Sequence, residues 1–263
     1  MTKNRPIKII VCGASGRMGS EIVSLAQNDS ALELGGAVDL VSAAGCRARF
    51  SSRLADFISE TDVVIDFTTP SASCQNLEIV RQNKKALILG TTGFSPTDVE
   101  RITDAAKIIP IVFSPNMSIG VNLLFSLIRN IARILPDYEV EILEFHHNQK
   151  KDAPSGTASK LARIVAEEKG QNTSIVYGRQ GITGPRPTQE IGVMALRAGD
   201  VVGEHTVYFV GEGERLEITH RAQSRKCFAA GALAAAKWIF AKPAELYSMG
   251  DVLGLTDKPS DLK

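Results

Sequence analysis

Two of the chain's four histidines stand side by side in the segment EFHHNQKKDAPSGT (144–157), and two lysines follow them. Histidine as a residue type titrates near neutral pH, so an imidazole at 146 or 147 can carry a proton in either direction. Lys150 and Lys151 can attract a carboxylate, and a desolvated lysine can also donate a proton. These residue types predict proton transfer onto an anionic substrate.

The same segment ends in small residues that predict the start of a helix. Pro154 precedes Ser155, a good N-cap residue, and Gly156 and Thr157 then fall in the first helical turn. The free N–H groups of such a turn form an anion site. A proton carrier, a cation and an anion site together suit a small dicarboxylate whose reduction requires protonation.

One other interpretation of this segment stays open at this point. The histidines could form a satisfied pair beside a solvated lysine loop, without a chemical role. A metal site is not expected, because two adjacent histidines without a nearby cysteine or third histidine give poor ligand geometry. The whole constellation, rather than either histidine alone, favours catalysis.

The residues before the histidines predict the strand that carries them. In DYEVEILEFHH (137–147), Tyr138, Val140 and Ile142 alternate with Glu139 and Glu141, as in a half-exposed strand of period two. The histidines then lie at the end of this strand, at the lip of a ligand cleft. Because neighbouring strand residues point to opposite faces, only one imidazole is expected to face the substrate.

A glycine-rich turn near the start of the chain predicts dinucleotide binding. IKIIVCG (7–13) is typical of a buried strand, and GASGRMG (13–19) follows it and opens a helix. Gly13, Gly16 and Gly19 give G-x-x-G-x-x-G, because Ser15 stands where the stricter motif has its second glycine. A glycine still makes the sharp turn, and small residues let a pyrophosphate approach the helix N-terminus.

Asp39 ends the second predicted strand, near the offset from the glycine turn at which an acid binds the adenine ribose hydroxyls. An ordinary aspartate at a strand end is the alternative. The Asp39 charge would repel a 2′-phosphate and favours NADH, whereas Arg17 in the glycine loop favours NADPH. We therefore expect NADH to be preferred and NADPH to be tolerated.

Strands and helices alternate through the first half of the chain. Strands are predicted at 7–13, 32–39, 63–70, 86–93 and 109–118. Helices are predicted at 19–28, at 71–85 with Ser71 or Ser73 as its cap, and at 95–107, with a short helical piece at 54–62. This pattern predicts an α/β protein with a Rossmann-like, doubly wound parallel sheet. The polar loops GASG, TTP, GTTG and SPNMS follow the strands, where such sheets bind their ligands.

The pattern changes after Ser118. A long apolar helix (121–136) precedes the histidine strand, and a further helix (155–170) follows it. GVMALRAGDVVGEHTVYFV (192–210) reads as a hairpin with a Gly-Asp turn, and GEGE (211–214) leads into another strand (215–222). This predicts a C-terminal α+β domain with an open mixed sheet, which an oligomer or a loop would cover. The final helix (226–243) is expected to pack back on the first domain.

Composition excludes several classes of partner. The net charge is +1, from 30 basic and 29 acidic residues, so bulk electrostatics favour neither nucleic acid nor membrane surfaces. No apolar stretch reaches the ~18 residues of a membrane span. The four cysteines lack metal-ligand spacing, and we expect them to be reduced in a cytoplasmic protein.

The segment EFHHNQKKDAPSGTA closely resembles the E-x-H-H-x-x-K-x-D-A-P-S-G-T signature of the 4-hydroxy-tetrahydrodipicolinate reductase (dihydrodipicolinate reductase) family. Further blocks resemble that family in the same order, over essentially the whole chain: VCGASGRMG, VIDFTTP, GTTGF, RAGDVVGEHTVYF and GERLEITHRAQSR. Two departures concern the cofactor. The stretch between Asp39 and Val63 is shorter than in many members, and Leu40 stands where some members carry an arginine, which weakens the case for NADPH.

The resemblance implies an enzyme that reduces 4-hydroxy-tetrahydrodipicolinate to tetrahydrodipicolinate with NADH or NADPH, releasing water, in lysine and diaminopimelate biosynthesis. It implies a dinucleotide-binding domain (1–118 and 228–263), a substrate-binding and oligomerisation domain (119–227), and a homotetramer. It makes His146 the general acid/base and Lys150 the proton donor, while His147, Gly156 and Thr157 would bind the substrate carboxylates. The cofactor would lie on Gly13, Ala14, Ser15, Gly16, Arg17, Met18, Asp39, Gly90, Thr91, Thr92, Ser114, Pro115, Asn116 and Met117.

Two competing hypotheses remain. A non-catalytic module that senses NAD(P) would explain the glycine loop but not the cluster of proton carriers. A different Rossmann reductase, such as an aspartate-semialdehyde dehydrogenase, would need a nucleophilic cysteine. The segment 144–157 contains no cysteine.

Overall fold

The computed structural model describes residues 5–41, 48–170 and 172–255. The chain divides into two compact units, which we call the first unit (Met1–Ile119 with Arg225–Lys263) and the second unit (Gly120–Ser224). The functions that the sequence analysis gives to its two domains stay predictions.

The described strands, in chain order, are β1 (Ile7–Cys12), β2 (Leu32–Val38), β3 (Phe50–Ser51), β4 (Val63–Asp66), β5 (Ala86–Leu89), β6 (Ile111–Phe113), β7 (Glu139–His146), β8 (Ser174–Val176), β9 (Glu190–Arg197), β10 (Gly203–Val210), β11 (Arg215–Ala222) and β12 (Leu246–Tyr247). The described α-helices are α1 (Arg17–Ala26), α2 (Pro70–Gln82), α3 (Pro96–Ala106), α4 (Ile119–Ile134), α5 (Gly156–Lys169), α6 (Lys226–Ile239) and α7 (Met249–Leu253).

The first unit is built on a parallel sheet with the strand order β12-β6-β5-β4-β1-β2-β3. Alternate residues of its central strands supply two separate cores. Ile9 and Val11 of β1 face the core that α1 and α6 complete, whereas Ile10 faces the core that α2 and α3 complete. Helices therefore cover both faces of the sheet, which confirms the predicted doubly wound fold.

Helix α6 completes the first core, in agreement with the prediction that the helix at 226–243 packs on the N-terminal domain. Its residues Ala229, Ala232, Leu233 and Ile239 are buried there. A Cβ at Gly231 would lie 1.7 Å from the Met117 carbonyl oxygen, so the helix touches the backbone after β6. A short strand, β12, then extends the sheet beside β6, which the sequence analysis did not predict.

The second unit has a five-stranded mixed sheet with the order β11-β10-β7-β9-β8. β7 is parallel to β9 and antiparallel to β10, and β10 is antiparallel to β11. The predicted hairpin over 192–210 is wrong, because β7 lies between β9 and β10. The hairpin from β10 to β11 through 211–214 is confirmed. Turn chemistry alone does not reveal whether a third strand separates two consecutive ones.

One face of this sheet changes from apolar to polar along the strands. Buried residues of β7, β9 and β10 pack with α4 and α5 into the core of the second unit, including Val140, Ile142, Ile191, Val193, Val207 and Phe209. Toward the carboxyl end of β7 the same face carries polar rows, with Glu144 opposite His205 and His205 opposite His220. His146 then lies opposite Arg197.

Several predicted boundaries are corrected. The helix predicted at 71–85 starts at Pro70, and its cap is Thr69, whose side chain accepts a hydrogen bond from the Ala72 amide; neither Ser71 nor Ser73 is the cap. The helical piece at 54–62 consists of two 3₁₀ turns, Leu54–Asp56 and Ile58–Glu60. Only Ile111–Phe113 of the predicted strand 109–118 is extended in the sheet, since the polar residues after it form a loop. Along the described ranges no helix is long and apolar enough to cross a membrane.

Candidate active site

Only glycine fits at two positions of the turn between β1 and α1. Gly13 has φ +79, and a Cβ there would lie 2.6 Å from the Phe67 carbonyl oxygen. A Cβ on Gly19 would lie 2.0 Å from the Gly13 carbonyl oxygen, so the first helix packs directly on the turn. The turn therefore brings backbone rather than side chains to the start of α1, as an approaching phosphate requires.

The N-terminus of α1 is suited to an anion. Its N-cap residue, Gly16, offers no side-chain cap, and the first turn contains no acidic residue. Ser15, Gly16 and Arg17 are exposed, whereas Ala14 is buried and Met18 is half-buried. The helix dipole and the first amides can then act on a ligand without competition from a carboxylate in that turn.

Asp39 follows β2 and is tied to the glycine turn. Its carboxylate accepts hydrogen bonds from the Ser15 amide at 2.9 Å and from the Leu40 amide at 2.7 Å. The Ser15 hydroxyl donates to the Val41 carbonyl. The acid predicted to bind the adenine ribose thus lies beside the turn predicted to bind the pyrophosphate. The shorter stretch after Asp39 includes residues 42–47, which lie outside the described residues.

A buried aspartate that the sequence analysis did not single out holds the next loops together. Asp66, at the end of β4, is fully buried and accepts hydrogen bonds from the Thr68 backbone amide at 2.9 Å and from the Asn76 side-chain amide at 2.8 Å. The hydroxyls of Ser73 and Thr91 lie 2.9 and 3.3 Å from it. This network joins the loop after β4, the start of α2 and the loop after β5, which carries three predicted cofactor residues, Gly90, Thr91 and Thr92.

The loop after β6 carries the remaining predicted cofactor residues, Ser114 to Met117. The Ser114 hydroxyl donates to the Asn116 carbonyl at 2.8 Å, and the Asn116 side chain accepts from the Ser118 amide at 2.9 Å. Pro115 is exposed, but the Met117 side chain is buried in the first core, so a cofactor contact there would involve its backbone. These loops follow β6, β5, β1 and β2 at one edge of the parallel sheet, the edge where such sheets bind ligands.

In the second unit, His146 is the last residue of β7 and its side chain is 11% exposed. Its Nδ1 lies 2.5 Å from a carboxylate oxygen of Glu144, two residues earlier on the same face of the strand. Its ring stands edge-on to that of His205, with 5.1 Å between the ring centroids. The partner of His146 is therefore a carboxylate, and His147 lies beyond the strand end, half-buried.

Glu144 is fully buried and is surrounded by donors. Burial alone would raise the pKa of its carboxyl, but hydrogen bonds from His146, Arg197 and the Ser155 amide lower it to about 2. Arg197 on β9 donates to both carboxylate oxygens, at 2.8 Å each. The Ser155 amide donates at 2.9 Å. The site thus contains a buried carboxylate that is ionised at neutral pH.

Lys150 lies in the loop after β7, and its Nζ pairs with the Asp152 carboxylate at 2.8 Å. The hydrogen bond from Lys150 lowers the pKa of Asp152. Lys150 is half-buried, with 19% of its side chain exposed, whereas Lys151 is exposed. Of the two lysines, the half-buried one is the predicted proton donor.

The start of α5 follows the prediction. Ser155 is the N-cap, and its hydroxyl accepts a hydrogen bond from the Ala158 amide at 3.1 Å. Gly156 is exposed, nothing lies within 4 Å of a Cβ built on it, and Thr157 is half-buried. The first helical turn contains no acidic residue. The backbone at Gly156 is therefore open to a ligand carboxylate.

Four residues of this site were not predicted from the sequence: Glu144, Arg197, Gly203 and His205. Glu144 and His146 continue the period-two pattern of Val140 and Ile142, so the alternation of β7 could have placed Glu144 inside. Arg197, Gly203 and His205 come from β9 and β10, and only the strand order brings them beside β7. Among the described residues, no group of three His, Cys, Asp or Glu side chains could hold a metal ion.

The fold and the sites define a class of two-unit α/β proteins with a dinucleotide-binding type of sheet and a separate α+β unit that carries acid–base residues. The model of the dihydrodipicolinate reductase N-terminus matches residues 7–117, and that of the C-terminus matches residues 120–253. The chain belongs to the dihydrodipicolinate reductase family.

Individual relatives agree with this assignment. A 4-hydroxy-tetrahydrodipicolinate reductase from Anaeromyxobacter sp. (strain Fw109-5) is 50% identical over 95% of this chain and 98% of its own length. One of the same name from Aquifex aeolicus (strain VF5) is 49% identical over 95% of this chain and 99% of its own. The structure of a dipicolinate-bound dihydrodipicolinate reductase from Paenisporosarcina sp. TG-14 superposes with a TM-score of 0.79 at 26% identity, covering 92% of this chain and 97% of that one.

Proposed function

We propose that this protein reduces 4-hydroxy-tetrahydrodipicolinate to tetrahydrodipicolinate with a reduced nicotinamide dinucleotide, releasing water, in lysine and diaminopimelate biosynthesis. The observation that carries the proposal is the arrangement at the end of β7. There an imidazole, His146, is held by a buried ionised carboxylate, Glu144, next to the open backbone turn at Gly156. Membership of the reductase family supports the same chemistry.

The residues of the first unit fit a dinucleotide. Gly13, Gly16 and Gly19 leave the start of α1 open to the pyrophosphate, and Asp39 would accept hydrogen bonds from the ribose hydroxyls. The other cofactor residues of the prediction lie in the loops 90–92 and 114–117. When bound, the cofactor supplies the hydride.

The residues of the second unit would bind the substrate and deliver the proton. The amides of Gly156 and Thr157, with His147, would hold the carboxylates, since a helix N-terminus favours anions. His146 exchanges a proton at its ring, and Lys150 donates one from Nζ. Hydride transfer leaves a negative charge on the conjugated carbon–nitrogen system of the substrate. The proton from Lys150 neutralises this charge. Holding the reacting groups at contact distance supplies much of the rate.

Finer properties belong to the same proposal. Asp39 beside the glycine turn and the exposed Leu40 after it favour NADH over NADPH. The positive charge of Arg17 would still allow NADPH to bind. Apolar side chains on the second face of the β7 sheet, such as Leu143 and the exposed Leu196, support a homotetramer in which partner chains cover that face. We place the enzyme in the cytoplasm.

The assay follows NADH absorbance at 340 nm with substrate made in situ by its synthase. His146→Gln and Lys150→Ala should each lower kcat by about 10²-fold or more while the Kd for NADH is unchanged. Lys151→Ala is the matched control, because Lys151 is exposed in the same loop, and it should retain activity. Full activity of both site variants would contradict the assigned roles. A wild-type protein that binds NADH without turnover would favour the sensing module.

Titration with each cofactor tests the preference separately. Asp39→Ala should weaken NADH binding more than NADPH binding, because the ribose hydroxyls lose their acceptor while the 2′-phosphate loses a repulsive charge. Equal loss for both cofactors would contradict the role of Asp39.

A cysteine-dependent dehydrogenase is not favoured. Burial raises the pKa of the Cys12, Cys74 and Cys227 thiols, which disfavours a reactive thiolate among the described cysteines.

A further inference from the structure

We infer that Glu144 and Arg197 are positioning residues that fix His146 in the tautomer with its proton on Nδ1 and leave Nε2 as the nitrogen that exchanges the catalytic proton. The inference deepens the proposed function and rests on it, because it takes His146 as the general acid/base of that reaction. Neither positioning residue is assigned a contact with substrate or cofactor.

The tautomer follows from the donors around Glu144. An ionised carboxylate can only accept hydrogen bonds. Glu144 is buried and takes bonds from both Arg197 nitrogens and the Ser155 amide, which hold it in the charged form. His146 Nδ1, at 2.5 Å, must therefore be the donor in that contact. In a neutral ring with Nδ1–H, the lone pair is on Nε2.

Arg197 fixes the direction from which Glu144 acts. Its Nη1 and Nη2 each contact a different oxygen of the carboxylate, in the bidentate arrangement that locks the plane of both groups. Its Nη2 also donates to the Asp152 carbonyl at 2.7 Å. Since Asp152 pairs with Lys150, the same guanidinium ties the loop of the predicted proton donor to the carboxylate that holds the imidazole.

A single carboxylate thus joins three parts of the site. Glu144 holds the imidazole at the end of β7, the N-cap residue of α5 through the Ser155 amide, and the 150–152 loop through Arg197. All four hydrogen bonds are buried or partly buried, so water competes with them weakly. A carboxylate that only stabilised the fold would not need to contact the imidazole of His146, the N-cap of α5 and, through Arg197, the lysine loop.

Gly203 leaves room at the other ring nitrogen. A Cβ at this position would lie 2.9 Å from Nε2 of His146 and 3.2 Å from Cδ2. Gly203 begins β10, and its backbone does not have positive φ, so an alanine is tolerated by the strand. Gly203→Ala therefore tests the placement of Nε2, because a Cβ at 2.9 Å forces the ring to shift while every donor and acceptor of the network is kept.

The tautomer is measured directly by ¹⁵N solid-state NMR of the ligand-free protein labelled at histidine, in the neutral form of the rings. His146→Gln assigns the signal, since the chain has only four histidines. The wild type should show Nδ1–H and an unprotonated Nε2 at His146, opposite to the tautomer that free histidine prefers. In Glu144→Gln the signal should shift toward Nε2–H, because one amide oxygen cannot accept all four bonds.

The kinetic readout separates positioning from a general structural role. Glu144→Gln should lower kcat by about 10²-fold with an unchanged Kd for NADH. Arg197→Met should lower kcat similarly, and Arg197→Lys should recover part of it, since a lysine returns the charge without the bidentate fork. Gly203→Ala should lower kcat by about 10-fold and leave the Nδ1–H signal in place.

Glu168→Gln and Arg133→Lys are matched controls from an ion pair between the other end of α5 and α4, where Glu168 accepts hydrogen bonds from Arg129 and Arg133. Both should keep the wild-type kcat and tautomer. A wild-type His146 with Nε2–H would overturn the inference by itself, even if every Glu144 variant unfolds. Wild-type kcat and tautomer in a folded Glu144→Gln would also overturn it. A fully active His146→Gln would instead refute the proposed role of His146, whatever its tautomer.

Discussion

Buried polar groups of the second unit couple its stability to pH. Burial, followed by the charge of nearby His146, lowers the pKa of His205 from 6.5 to about 3. His205 Nε2 lies 2.9 Å from the Ser155 hydroxyl, while its Nδ1 has no hydrogen-bond partner among the described residues. The ring is therefore neutral in the folded protein at a pH where the unfolded chain already carries the proton.

This difference fixes the sign of the pH dependence. Between pH 6.5 and about 3 the unfolded state binds a proton at His205 that the folded state does not, so stability falls as the pH falls through this window. Glu144 acts in the same direction at lower pH, because its pKa falls from 4.5 to about 2 on folding and its stabilisation is lost below 4.5.

His205→Gln should reduce the slope of unfolding free energy against pH between pH 6.5 and 5. The expected reduction is at most about 1.4 kcal/mol per pH unit, which corresponds to one proton. Urea unfolding at several pH values measures the slope. Glu168→Gln should leave it unchanged, and an unaltered slope in His205→Gln would contradict the neutral, buried state of this ring.

At the scale of elements, the caps decide where helices begin. α2 has Thr69 as its N-cap and Pro70 in its first turn, while Ser71, one of the two caps predicted from the sequence, is exposed inside the helix. Both hydroxyl residues fit the preferences of a helix start, so composition alone does not separate them. The proline decides, because its fixed φ and missing N–H suit the first helical position and move the cap to the residue before it.

Thr69→Ala should destabilise the protein by about 0.5–2 kcal/mol, since the Ala72 amide loses its acceptor. Ser71→Ala is the matched control and should change stability by less than about 0.5 kcal/mol. Both values come from urea unfolding under the same conditions. The reverse order of the two effects would place the cap at Ser71 after all.

At the scale of the whole molecule, the chain returns to its first unit after building the second. α6 supplies buried alanines, Leu233 and Ile239 to the core that β1, β4 and β5 begin, and Gly231 lets it touch the backbone at Met117. The first unit is consequently not continuous in sequence. Its stability depends on residues that are about a hundred positions away from the end of β6. The entropy cost of closing so long a loop is modest, because this cost grows only slowly with loop length.

Gly231→Ala should destabilise the full-length protein by about 1–3 kcal/mol, because the added methyl overlaps a backbone atom that cannot rotate away. Thermal unfolding should show a Tm lower by several degrees. Ala230→Ser, at an exposed position of the same helix, should be nearly neutral. A stabilised Gly231→Ala, as helix propensity alone would give, would contradict the close contact of α6 with the first unit.

Local patterns explain why much of this could be predicted. The alternation of β7, the glycine turn after β1 and the serine before α5 each depend on residues a few positions apart, so propensity and period identify them. The prediction of a hairpin at 192–210 was wrong because two consecutive strands with a turn between them have the same sequence pattern whether they pair with each other or flank a third strand. The Asp66 network was not predicted, because its donors come from the loop after β4, from α2 and from the loop after β5, which only the fold brings together.

The sequence by itself determined the doubly wound first half, the mixed-sheet second half, and the cluster of histidines, lysines and small residues that points to proton transfer. Only the tertiary structure decided which groups surround His146. Arg197, His205 and Gly203 reach it through strand pairing across the sheet. Strand pairing depends on the burial of whole sheet faces rather than on any short stretch of residues. It buries Glu144 beside donors that keep its carboxylate ionised, so that Glu144 becomes the hydrogen-bond partner of the imidazole.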